Sequence, residues 1–582
     1  MRRSEECTFV AVDGTQIFYR YWPALPGVDD RAVILLHRGH EHSGRLLHVV
    51  EELNLPEHSM FAWDARGHGR SPGRRGYAPS VGTLVKDLDM FVRHVVTTRG
   101  IPIENISLVA QSVGSVLAAA WAHDYAPRIR SMILAAPAFQ IKLYAPFARR
   151  ALSLLHKLIG DFTVQSYVKA NYLTHDPERI STFRSDQLIT RSISVKILLE
   201  LDETAERVVA DAQAIQVPTQ VLISGADWVV RKEPQIEFFR RLGSPIKEMH
   251  ELKNFYHDTL GENDRHLAID KAREFILTRF AGPGSLLDAD TKGATKEEFD
   301  RLSRPLPPWS PRAIAFLAMK AGLKGGGRLS NGIRIGQETG FDSGSTLDYI
   351  YRDRASGRTA LGKAIDRLYL NSIGWRGIRI RKQHLEQLLI RTIEELRTGG
   401  LPIRIVDIAA GHGRYVLDAM KTHADDDSVL LRDYDAVNVR EGNVSIATRG
   451  MDKVARFENG NAFDRDSLAA IWPRMTIGVV SGLYELFPGN AELRESLAGL
   501  SDAIEPNGYL IYTGQPWHPQ IEFIARTLSS HRDHTSWIMR RRTQGELDEL
   551  VEAAGFRKID QLTDDWGIFT VSLAQRCEAP PC

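Results

Sequence analysis

Ser112, Asp227 and His257 have the types and order that hydrolysis of an acyl compound requires. Ser112 lies in AQSVG (residues 110–114), directly after the apolar run ISLVA and before the helix-like VLAAAWAH. Small residues around a serine are typical of a strained turn between a strand and a helix, where larger side chains would clash. Such a turn presents the hydroxyl for attack on a carbonyl carbon.

The two partner residues come later in the first half. Asp227 follows a strand in LISGADWVV, and His257 lies in NFYHDTLGE before the last helix. In this order, we expect His257 to take the Ser112 proton and Asp227 to orient and stabilise the imidazole. His250 is a rival base, but it lies within the strand-like KEMHEL and is interpreted as structural. The competing interpretation of Ser112 is a buried serine at a helix start.

The second half contains a glycine-rich turn. RIVDI (residues 404–408) runs into AAGHGRY (residues 409–415) and then into a helical segment. Such a turn lets the backbone approach a ligand closely. The absence of G-K-[ST] argues against a phosphate-binding P-loop, and Val416 occupies the position where a dinucleotide fingerprint requires Gly or Ala. Asp433 ends the next strand and can bind ribose hydroxyls, whereas Asp435 is placed to cap a helix.

Both halves show the rhythm of parallel βα units: a short apolar run, a turn with glycine, then helical periodicity. The sequence therefore predicts two tandem α/β domains. In the first, the expected strands are Val33–Leu36, Met60–Trp63, Ile106–Ala110, Met132–Ala135 and Gln220–Ser224.

Domain boundaries follow from composition. A polar stretch rich in Pro and Gly predicts a linker at 282–332, with one short helix around 313–323. The expected domains are 1–281, with a helical cap at about 139–214, and 333–582. The second is divided into a helical lead-in at 333–399 and a core at 400–575.

Overall composition excludes several classes of protein. The chain has 582 residues, 43% apolar and 25% charged, with 74 basic and 73 acidic side chains, giving a net charge of +1. This balance argues against nucleic-acid binding. Three cysteines at the chain ends form no metal-ligand spacing, so we expect no metal and a reducing compartment. No signal peptide or span of about 20 apolar residues is seen, which predicts a cytoplasmic protein.

Two segments of the first half carry a family resemblance. HRGHEHSGR (residues 37–45) and DARGHGRSPGRRG (residues 64–76) resemble the monoacylglycerol lipase/lysophospholipase branch of α/β-hydrolases, over about residues 8–280. The resemblance implies a serine carboxylester hydrolase whose oxyanion hole is formed by the backbone N–H groups of Gly39 and Val113. Arg38 and His40 replace glycines of the family pattern, which implies strain if the loop needs positive φ. Alternatively, Arg38 attracts an anionic headgroup.

The amphipathic stretch 143–159 has two interpretations. Leucine and isoleucine lie on one face, with basic residues elsewhere. It is either a lid that touches lipid over an acyl pocket or a cap helix packed on its own domain. The first interpretation allows at most peripheral membrane contact.

The second half resembles class I methyltransferases that use S-adenosyl-L-methionine. VDIAAGHGRY resembles the first motif of that family, GNAFD (residues 460–464) the adenine-contacting motif, and the segments at 477–487 and 504–514 the strands that follow. The resemblance covers about residues 400–575 and implies a Rossmann-like fold. The cofactor-binding residues it indicates are Asp407, Ala409, Gly411, Gly413, Asp433, Asn461 and Ala462.

The methyl-acceptor site is less defined. The segment 513–520, which holds His518, leaves a strand at the edge where α/β proteins bind ligands. His518 and Glu485 are candidate general bases, and Arg540–Arg542 are a candidate anion clamp. We expect a bifunctional enzyme acting on a lipid-like or small ester and on an unknown methyl acceptor. Two alternatives stay open: a methyltransferase with a silent hydrolase-fold binding module, and a hydrolase with a non-catalytic sensor domain for S-adenosylmethionine.

Overall fold

The computed structural model describes residues 2–27, 30–144, 147–166, 168–282, 293–357, 359–424, 426–532 and 534–578. The chain divides into two compact units, Met1–Leu287 and Asp288–Cys582. Each unit contains one large sheet covered by helices, so both are of the α/β class that the sequence predicts.

The first unit is built on an eight-stranded sheet in the order β1-β2-β4-β3-β5-β6-β9-β10. Within this sheet, β4, β3, β5, β6, β9 and β10 run parallel to one another. β1 and β2 form an antiparallel edge. The inner strands are buried along their whole length, as expected for a parallel sheet with helices on both faces. The strands are β1 (Glu5–Val10), β2 (Gln16–Trp22), β3 (Ala32–Leu36), β4 (Ser59–Trp63), β5 (Ile106–Gln111), β6 (Ser131–Ala135), β7 (Thr163–Gln165), β8 (Ser192–Ser194), β9 (Thr219–Ser224) and β10 (Lys247–Leu252).

The segment predicted as a helical cap, 139–214, leaves the sheet after β6 and returns to it at β9. Its described residues form three helices and also a short two-stranded antiparallel sheet of β7 and β8, which the sequence did not predict. The helices of this unit are α1 (Leu47–Glu52), α2 (Val81–Arg99), α3 (Val113–Tyr125), α4 (Ala148–Ile159), α5 (Pro177–Ser185), α6 (Val195–Ala210), α7 (Glu233–Arg241) and α8 (His266–Ala281).

The second unit has a seven-stranded sheet in the order β13-β12-β11-β14-β15-β17-β16. Strand order reverses beside β11, which creates a crevice at the carboxyl ends of β11 and β14 where α/β folds bind ligands. The antiparallel pair β16–β17 closes the sheet beside β15. The strands are β11 (Arg404–Asp407), β12 (Ser428–Asp433), β13 (Ala455–Asn459), β14 (Met475–Val480), β15 (Ile504–Gly514), β16 (Phe556–Thr563) and β17 (Thr570–Arg576).

Helices precede and surround this sheet. The predicted lead-in at 333–399 is helical and ends in a long helix, α14. The helices are α9 (Ala294–Ser303), α10 (Pro311–Gly326), α11 (Asn331–Thr339), α12 (Gly344–Arg352), α13 (Ala360–Leu370), α14 (Ile373–Thr398), α15 (Arg414–Ala419), α16 (Ala436–Thr448), α17 (Arg465–Ala469), α18 (Ala491–Ala503), α19 (Ile521–Thr527) and α20 (Gln544–Ala553).

The short helix predicted around 313–323 is confirmed by α10, but the linker around it is wrong, because residues 293–332 are largely helical. Residues 283–292 lie outside the described part. α9 and α10 pack on the second unit, where Arg541 Nε donates to Glu298 and Arg312 pairs with Glu522. α10 begins at a capping serine followed by Pro311, which favours helix initiation. The glycines that indicated a break belong to the last turn of α10.

Candidate active sites

Ser112 occupies a sharp turn between β5 and α3. Its backbone has φ 56° and ψ −115°, a conformation that non-glycine residues rarely adopt. Gly114 permits this turn, because a Cβ there would lie 2.7 Å from the His37 carbonyl oxygen and 3.0 Å from Leu36 Cβ. The small residue that the sequence pattern indicated is therefore required by packing.

The structure brings together the three side chains predicted to form a catalytic triad. The Ser112 hydroxyl and His257 Nε2 are 2.7 Å apart, and His257 Nδ1 lies 2.8 Å from Asp227 Oδ2. The other carboxylate oxygen of Asp227 accepts the backbone N–H groups of Val229 and Val230 at 2.6 and 2.9 Å. Both Asp227 oxygens are thus held in place.

The environment keeps Asp227 ionised. Burial alone would raise the pKa of its carboxyl, but the His257 charge and the hydrogen bonds outweigh burial and hold the pKa below its usual range. The rival histidine, His250, lies on the edge strand β10 with Nε2 3.4 Å from Glu248.

Gly39 and Val113 meet beside the nucleophile. A Cβ built on Gly39 would lie 3.1 Å from Val113 Cγ2, and both residues line one cavity with Ser112. The next residue, His40, has φ 72°, so the strain expected from replacing glycine is present there. Arg38 is not among the described residues with positive φ.

Arg38, which was expected from the sequence to attract an anionic headgroup, lines the cavity with Ser112, and its charge is also paired within the protein. It is 4% exposed, and its guanidinium lies 2.7 Å from Glu41 and 3.8 Å from Asp258. Glu41 also accepts from Arg45 at 2.6 Å, and Asp258 from Arg179 at 2.9 Å. Three guanidinium groups thus share two buried carboxylates in this cluster.

Sequence reasoning missed a link between the turn of the nucleophile and the loop of the base. The side-chain amide of Gln111 donates to Asp258 Oδ1 at 3.0 Å and to the His257 carbonyl oxygen at 3.3 Å. Gln111 precedes Ser112 and Asp258 follows His257, so this bond ties the two catalytic segments together. In the sequence, only the positions of Gln111 and Asp258 next to Ser112 and His257 could have indicated this link.

A cavity of about 260 Å³ extends from Ser112 and His257 into the cap. Its far wall is apolar, and Leu152 of α4, Ile197 and Leu201 contribute to it. His40 also lines the cavity; burial and the nearby Arg38 charge lower its pKa to about 4, so it is neutral. The shape and lining fit an apolar acyl chain that ends at the serine hydroxyl.

Helix α4 contacts α6 on one face and exposes apolar side chains on another. Arg149 pairs with Asp202 of α6 at 2.6 Å. Leu154, Leu158 and Ile159 are 60, 72 and 66% exposed. α4 is therefore attached to its own unit and still presents an apolar stripe outward. Among the described residues, every helix is too short or too polar to span a bilayer.

In the second unit, the glycine-rich turn connects β11 to α15. Gly411 and Gly413 have φ of 56° and 67°. A Cβ on Gly413 would lie 2.3 Å from Leu431 Cδ1, whereas one on Gly411 would meet only Gly344 Cα, at 3.8 Å. Gly413 is needed for packing, and Gly411 leaves its surface free of side chains.

Asp433 ends β12 directly below this turn. Its Oδ2 accepts the Gly411 backbone N–H at 3.0 Å, and its Oδ1 accepts that of Asp435 at 3.0 Å. Burial raises the pKa of Asp433. Asp435 caps α16 by accepting from the Val437 N–H at 2.8 Å, as its position in the sequence predicted.

Asp407, at the end of β11, is fully buried. It accepts the Tyr415 hydroxyl at 2.6 Å and the Ala409 backbone N–H at 3.3 Å. Burial raises the pKa of Asp407 to about 7, and the Tyr415 hydrogen bond opposes that rise only in part. Through these two hydrogen bonds, Asp407 stabilises the glycine-rich turn.

The predicted adenine contacts lie apart from the glycine turn. Asn461 is exposed after β13, and its Oδ1, which we expected to accept from the adenine amino group, already accepts the Phe463 N–H at 3.0 Å. Ala462 is buried against the apolar core. Of the residues predicted to bind the cofactor, Ala409 and Gly411 line the crevice at the turn. The others do not: Asp407, Gly413, Asp433, Asn461 and Ala462.

The polar groups at this crevice fit the amino-acid end of S-adenosylmethionine. Ser481 Oγ and His412 Nε2 are buried there without a hydrogen-bond partner among the described residues. The crevice measures only about 40 Å³, because α12 lies over Gly411 and is held by an Arg414–Asp348 ion pair at 2.5 Å. Small-molecule sites usually measure about 300 Å³ or more, so the crevice by itself has room for only part of the cofactor.

Both predicted acceptor-site residues line a second, larger cavity of about 300 Å³. Glu485 and His518 share it with Arg381 of α14 and with Gln515, which the sequence did not single out. Arg540–Arg542, predicted as an anion clamp, are buried and bonded internally. Arg540 pairs with Glu546 at 2.7 Å, and Arg542 donates to backbone carbonyls at 2.6–3.0 Å.

The division into two α/β units agrees with comparisons to known proteins. A family model described as "Putative methyltransferase" matches residues 272–576, more than half of the chain, and the chain belongs to this family. A second model, "Serine aminopeptidase, S33", matches residues 28–264. The chain thus joins an α/β-hydrolase domain to a methyltransferase-family domain.

Individual relatives cover either the whole chain or its first half. The chain is 52% identical over 571 residues to "Uncharacterized protein YnbC" of Escherichia coli, covering 98% of each chain. It is 25% identical over 284 residues to the monoacylglycerol lipase of Mycolicibacterium smegmatis, covering 47% of this chain and 98% of that one. The solved monoacylglycerol lipase of Paleococcus ferrophilus aligns with a TM-score of 0.41 at 23% identity, over 45% of this chain and 99% of that chain.

Proposed function

We propose that the chain is a bifunctional enzyme: a serine carboxylester hydrolase joined to an S-adenosylmethionine-dependent methyltransferase. The observation that carries the first activity is the unbroken relay from the Ser112 hydroxyl through His257 to Asp227, with contacts of 2.7 and 2.8 Å. A buried serine without function needs no such relay, whereas a nucleophile does.

The relay supports a two-step hydrolysis. The Ser112 oxygen attacks the ester carbonyl carbon while His257 takes its proton and Asp227 stabilises the imidazolium. The oxyanion is bound by the backbone N–H groups of Gly39 and Val113. The bond to the alcohol then breaks as His257 returns the proton, and the acyl group stays on Ser112. Water, activated by His257, releases the acid.

The substrate we propose is an ester of one apolar acyl chain with a small polar alcohol, such as a monoacylglycerol or lysophospholipid. Support comes from the apolar cavity of about 260 Å³ beside Ser112 and from the likeness to monoacylglycerol lipases. We also propose a cytoplasmic location, with membrane contact limited to the exposed stripe on α4.

Ester hydrolysis by the purified full chain tests this activity. Ser112→Ala should lower the rate on a p-nitrophenyl ester by at least about 10³-fold, because the nucleophile is lost. Ser181→Ala, an exposed serine on α5, is the matched control and should leave the rate unchanged. Equal rates for wild type and Ser112→Ala would favour a silent binding module.

The second activity rests on the family of the second half and on the glycine turn. When bound, S-adenosylmethionine supplies a methyl group on a sulfonium. We propose that the surface at Gly411 receives its amino-acid end and that Asp433 binds its ribose, as the resemblance implies. Both groups lie at the carboxyl ends of adjacent parallel strands, where α/β proteins bind nucleosides.

Two glycines with similar backbones provide a sharp test. Gly411→Ala and Gly450→Ala both place a side chain at positive φ (56° and 66°), so they impose similar backbone strain. Only Gly411 faces the crevice; a Cβ on Gly450 would meet nothing within 4 Å. We expect calorimetry to show affinity for S-adenosylmethionine weakened at least about tenfold by Gly411→Ala alone. Equal affinities in the two variants would contradict this site, and binding without transfer to any acceptor would indicate a sensor.

A further inference from the structure

The larger cavity of the second unit has a predominantly apolar body. Trp375 and Trp537 stack with ring centroids 6.1 Å apart and line it together with Phe569 and Ile378. Its volume, about 300 Å³, lies at the lower end of the range for small-molecule sites. It shares Leu347 and Arg381 with the crevice at the glycine turn, so the two spaces adjoin.

One end of this cavity is polar and contains unused donors. Arg381 is 3% exposed and lies 3.5 Å from Glu485, yet its Nε has no hydrogen-bond partner among the described residues. The side-chain nitrogen of Gln515, 4% exposed, is also without a partner there. Leaving buried donors unbonded is unfavourable, so a ligand that accepts from them is favoured.

His518 adds a third donor. The backbone N–H of Gln520 donates to its Nδ1 at 3.0 Å, so the proton of the neutral ring must be on Nε2. Burial lowers the pKa of His518 to about 4, which keeps the ring neutral. His518 therefore donates through Nε2, and the general-base role expected from the sequence does not fit this tautomer.

We propose that the methyl acceptor is a carboxylic acid with an apolar chain, held by Arg381, Gln515 and His518; this rests on the proposed methyltransferase activity. A carboxylate oxygen carries acceptor lone pairs for several donors. It attacks the sulfonium methyl carbon, a C–O bond forms, and the S–C bond breaks with its electron pair moving to sulfur. The products are a methyl ester and S-adenosylhomocysteine. No proton is transferred, so no general base is needed.

The product proposed for the first half is then the same type of molecule as the methyl acceptor proposed for the second half. Ester hydrolysis at Ser112 releases a carboxylic acid with an apolar chain, and the acceptor cavity takes a carboxylic acid of the same kind. The two cavities are of similar size, about 260 and 300 Å³. The reaction that supplies the acceptor is thus of the class proposed for the first half.

Binding of decanoate, compared with 1-decanol, tests the carboxylate site. The full chain should carry Ser112→Ala so that no ester is hydrolysed. We expect decanoate to bind at least about tenfold more tightly than decanol, and Gln515→Leu to reduce that preference at least about threefold. Equal affinities of acid and alcohol, or a preference unchanged in Gln515→Leu, would overturn the proposal.

Glu485→Gln distinguishes the acid from an acceptor that needs a base. The substitution preserves shape and removes the negative charge beside Arg381. Our proposal predicts decanoate binding that is several-fold tighter and formation of methyl decanoate that persists. A general-base role instead predicts unchanged binding and lost transfer, which would overturn the proposal.

The affinity of the same protein for S-adenosylmethionine distinguishes failure of the proposed methyltransferase activity from failure of the proposed acceptor alone. If the chain does not bind S-adenosylmethionine, the proposed methyltransferase activity fails, and the acceptor assignment fails with it. If it binds S-adenosylmethionine but treats decanoate and decanol alike, only the carboxylic acid is overturned.

Discussion

At the scale of single residues, the hydrolase site depends on a strained serine held by its surroundings. Ser112 keeps φ 56° because β5 and α3 are fixed by the core on either side and because Gly114 leaves room for the chain at Leu36 and His37. Strain of this kind persists only where packing enforces it. A small change in that packing should therefore affect activity more than stability.

Gly114→Ala tests this dependence. The added Cβ would lie 2.7 Å from a backbone oxygen, so the turn must shift. We expect the rate of ester hydrolysis to fall by about 100-fold, as displacement by an ångström at a catalytic centre can do. Gly282→Ala, where the nearest atom would be 3.6 Å away, is the control and should keep the wild-type rate. A Gly114→Ala protein of normal activity would contradict the strained-turn account.

A second residue-scale prediction concerns Asp407. Its pKa is raised to about 7 by burial, so its protonated form is favoured by folding. Its contribution to stability is therefore fully present below the ordinary carboxyl pKa and decreases as the pH rises to about 7. Asp407→Asn removes the carboxyl group that titrates, so the variant does not lose stability at this site as the pH rises. We expect the free energy of unfolding of the variant, relative to wild type, to rise by up to about 1.4 kcal/mol per pH unit across that window.

The free energies of unfolding of Asp407→Asn and wild type can be compared by urea unfolding of the full chain at about pH 5 and about pH 8. Hydrogen exchange in peptides from β11 and β12 monitors the unfolding of this unit. A difference between variant and wild type that stays the same at both values would show that Asp407 titrates normally.

At the scale of elements, local patterns were predictable and distant contacts were not. The inner strands, the Ser112 turn and the Asp435 cap depend on neighbouring residues, so the sequence indicates them directly. The Gln111–Asp258 bond joins residues 147 positions apart, and no local pattern announces it. Arg381 was missed for the same reason: it lies on α14, outside the core motifs, and reaches the site only through the fold.

Residues 293–332 illustrate a different failure. Their Pro and Gly content indicated a break, but proline at the first turn and glycine at the last are compatible with a helix. α9 contacts the rest of the unit through Leu302, which packs against Ile521 and Ala525. It also forms the Arg541–Glu298 ion pair, between residues 243 positions apart in the chain. Composition alone does not show such a contact.

Helix α4 carries a prediction at this scale. Leu158, 72% exposed, lies on the apolar stripe that we propose to contact lipid. Leu158→Glu should lower hydrolysis of a long-chain monoacylglycerol in vesicles by about tenfold, the effect of losing about 1.4 kcal/mol of apolar burial. Hydrolysis of a soluble short-chain ester should not change.

Leu267→Glu is the matched control, since Leu267 is 47% exposed on α8, outside the cap. It should leave both rates unchanged. Equal losses on vesicles and on the soluble ester in Leu158→Glu would show that α4 acts on the site itself and not on lipid contact.

At the scale of the whole molecule, the chain joins two units with complete sheets and separate sites. The strand order of the second unit creates its crevice, and the cap of the first unit encloses an acyl-sized cavity. Among the described strands, each sheet is built only from strands of its own unit. Each proposed activity should therefore be removable by a single substitution without loss of the other. We propose that the acid released by the first is accepted by the second.

The central claim is that Ser112 is an activated nucleophile in the assembled protein. A long-chain alkyl fluorophosphonate forms a stable adduct only with a serine whose oxygen is activated by a base. Mass spectrometry of the labelled full chain should place one adduct on Ser112 and find it lost in His257→Ala. An unlabelled chain, or labelling that persists without His257, would contradict the account.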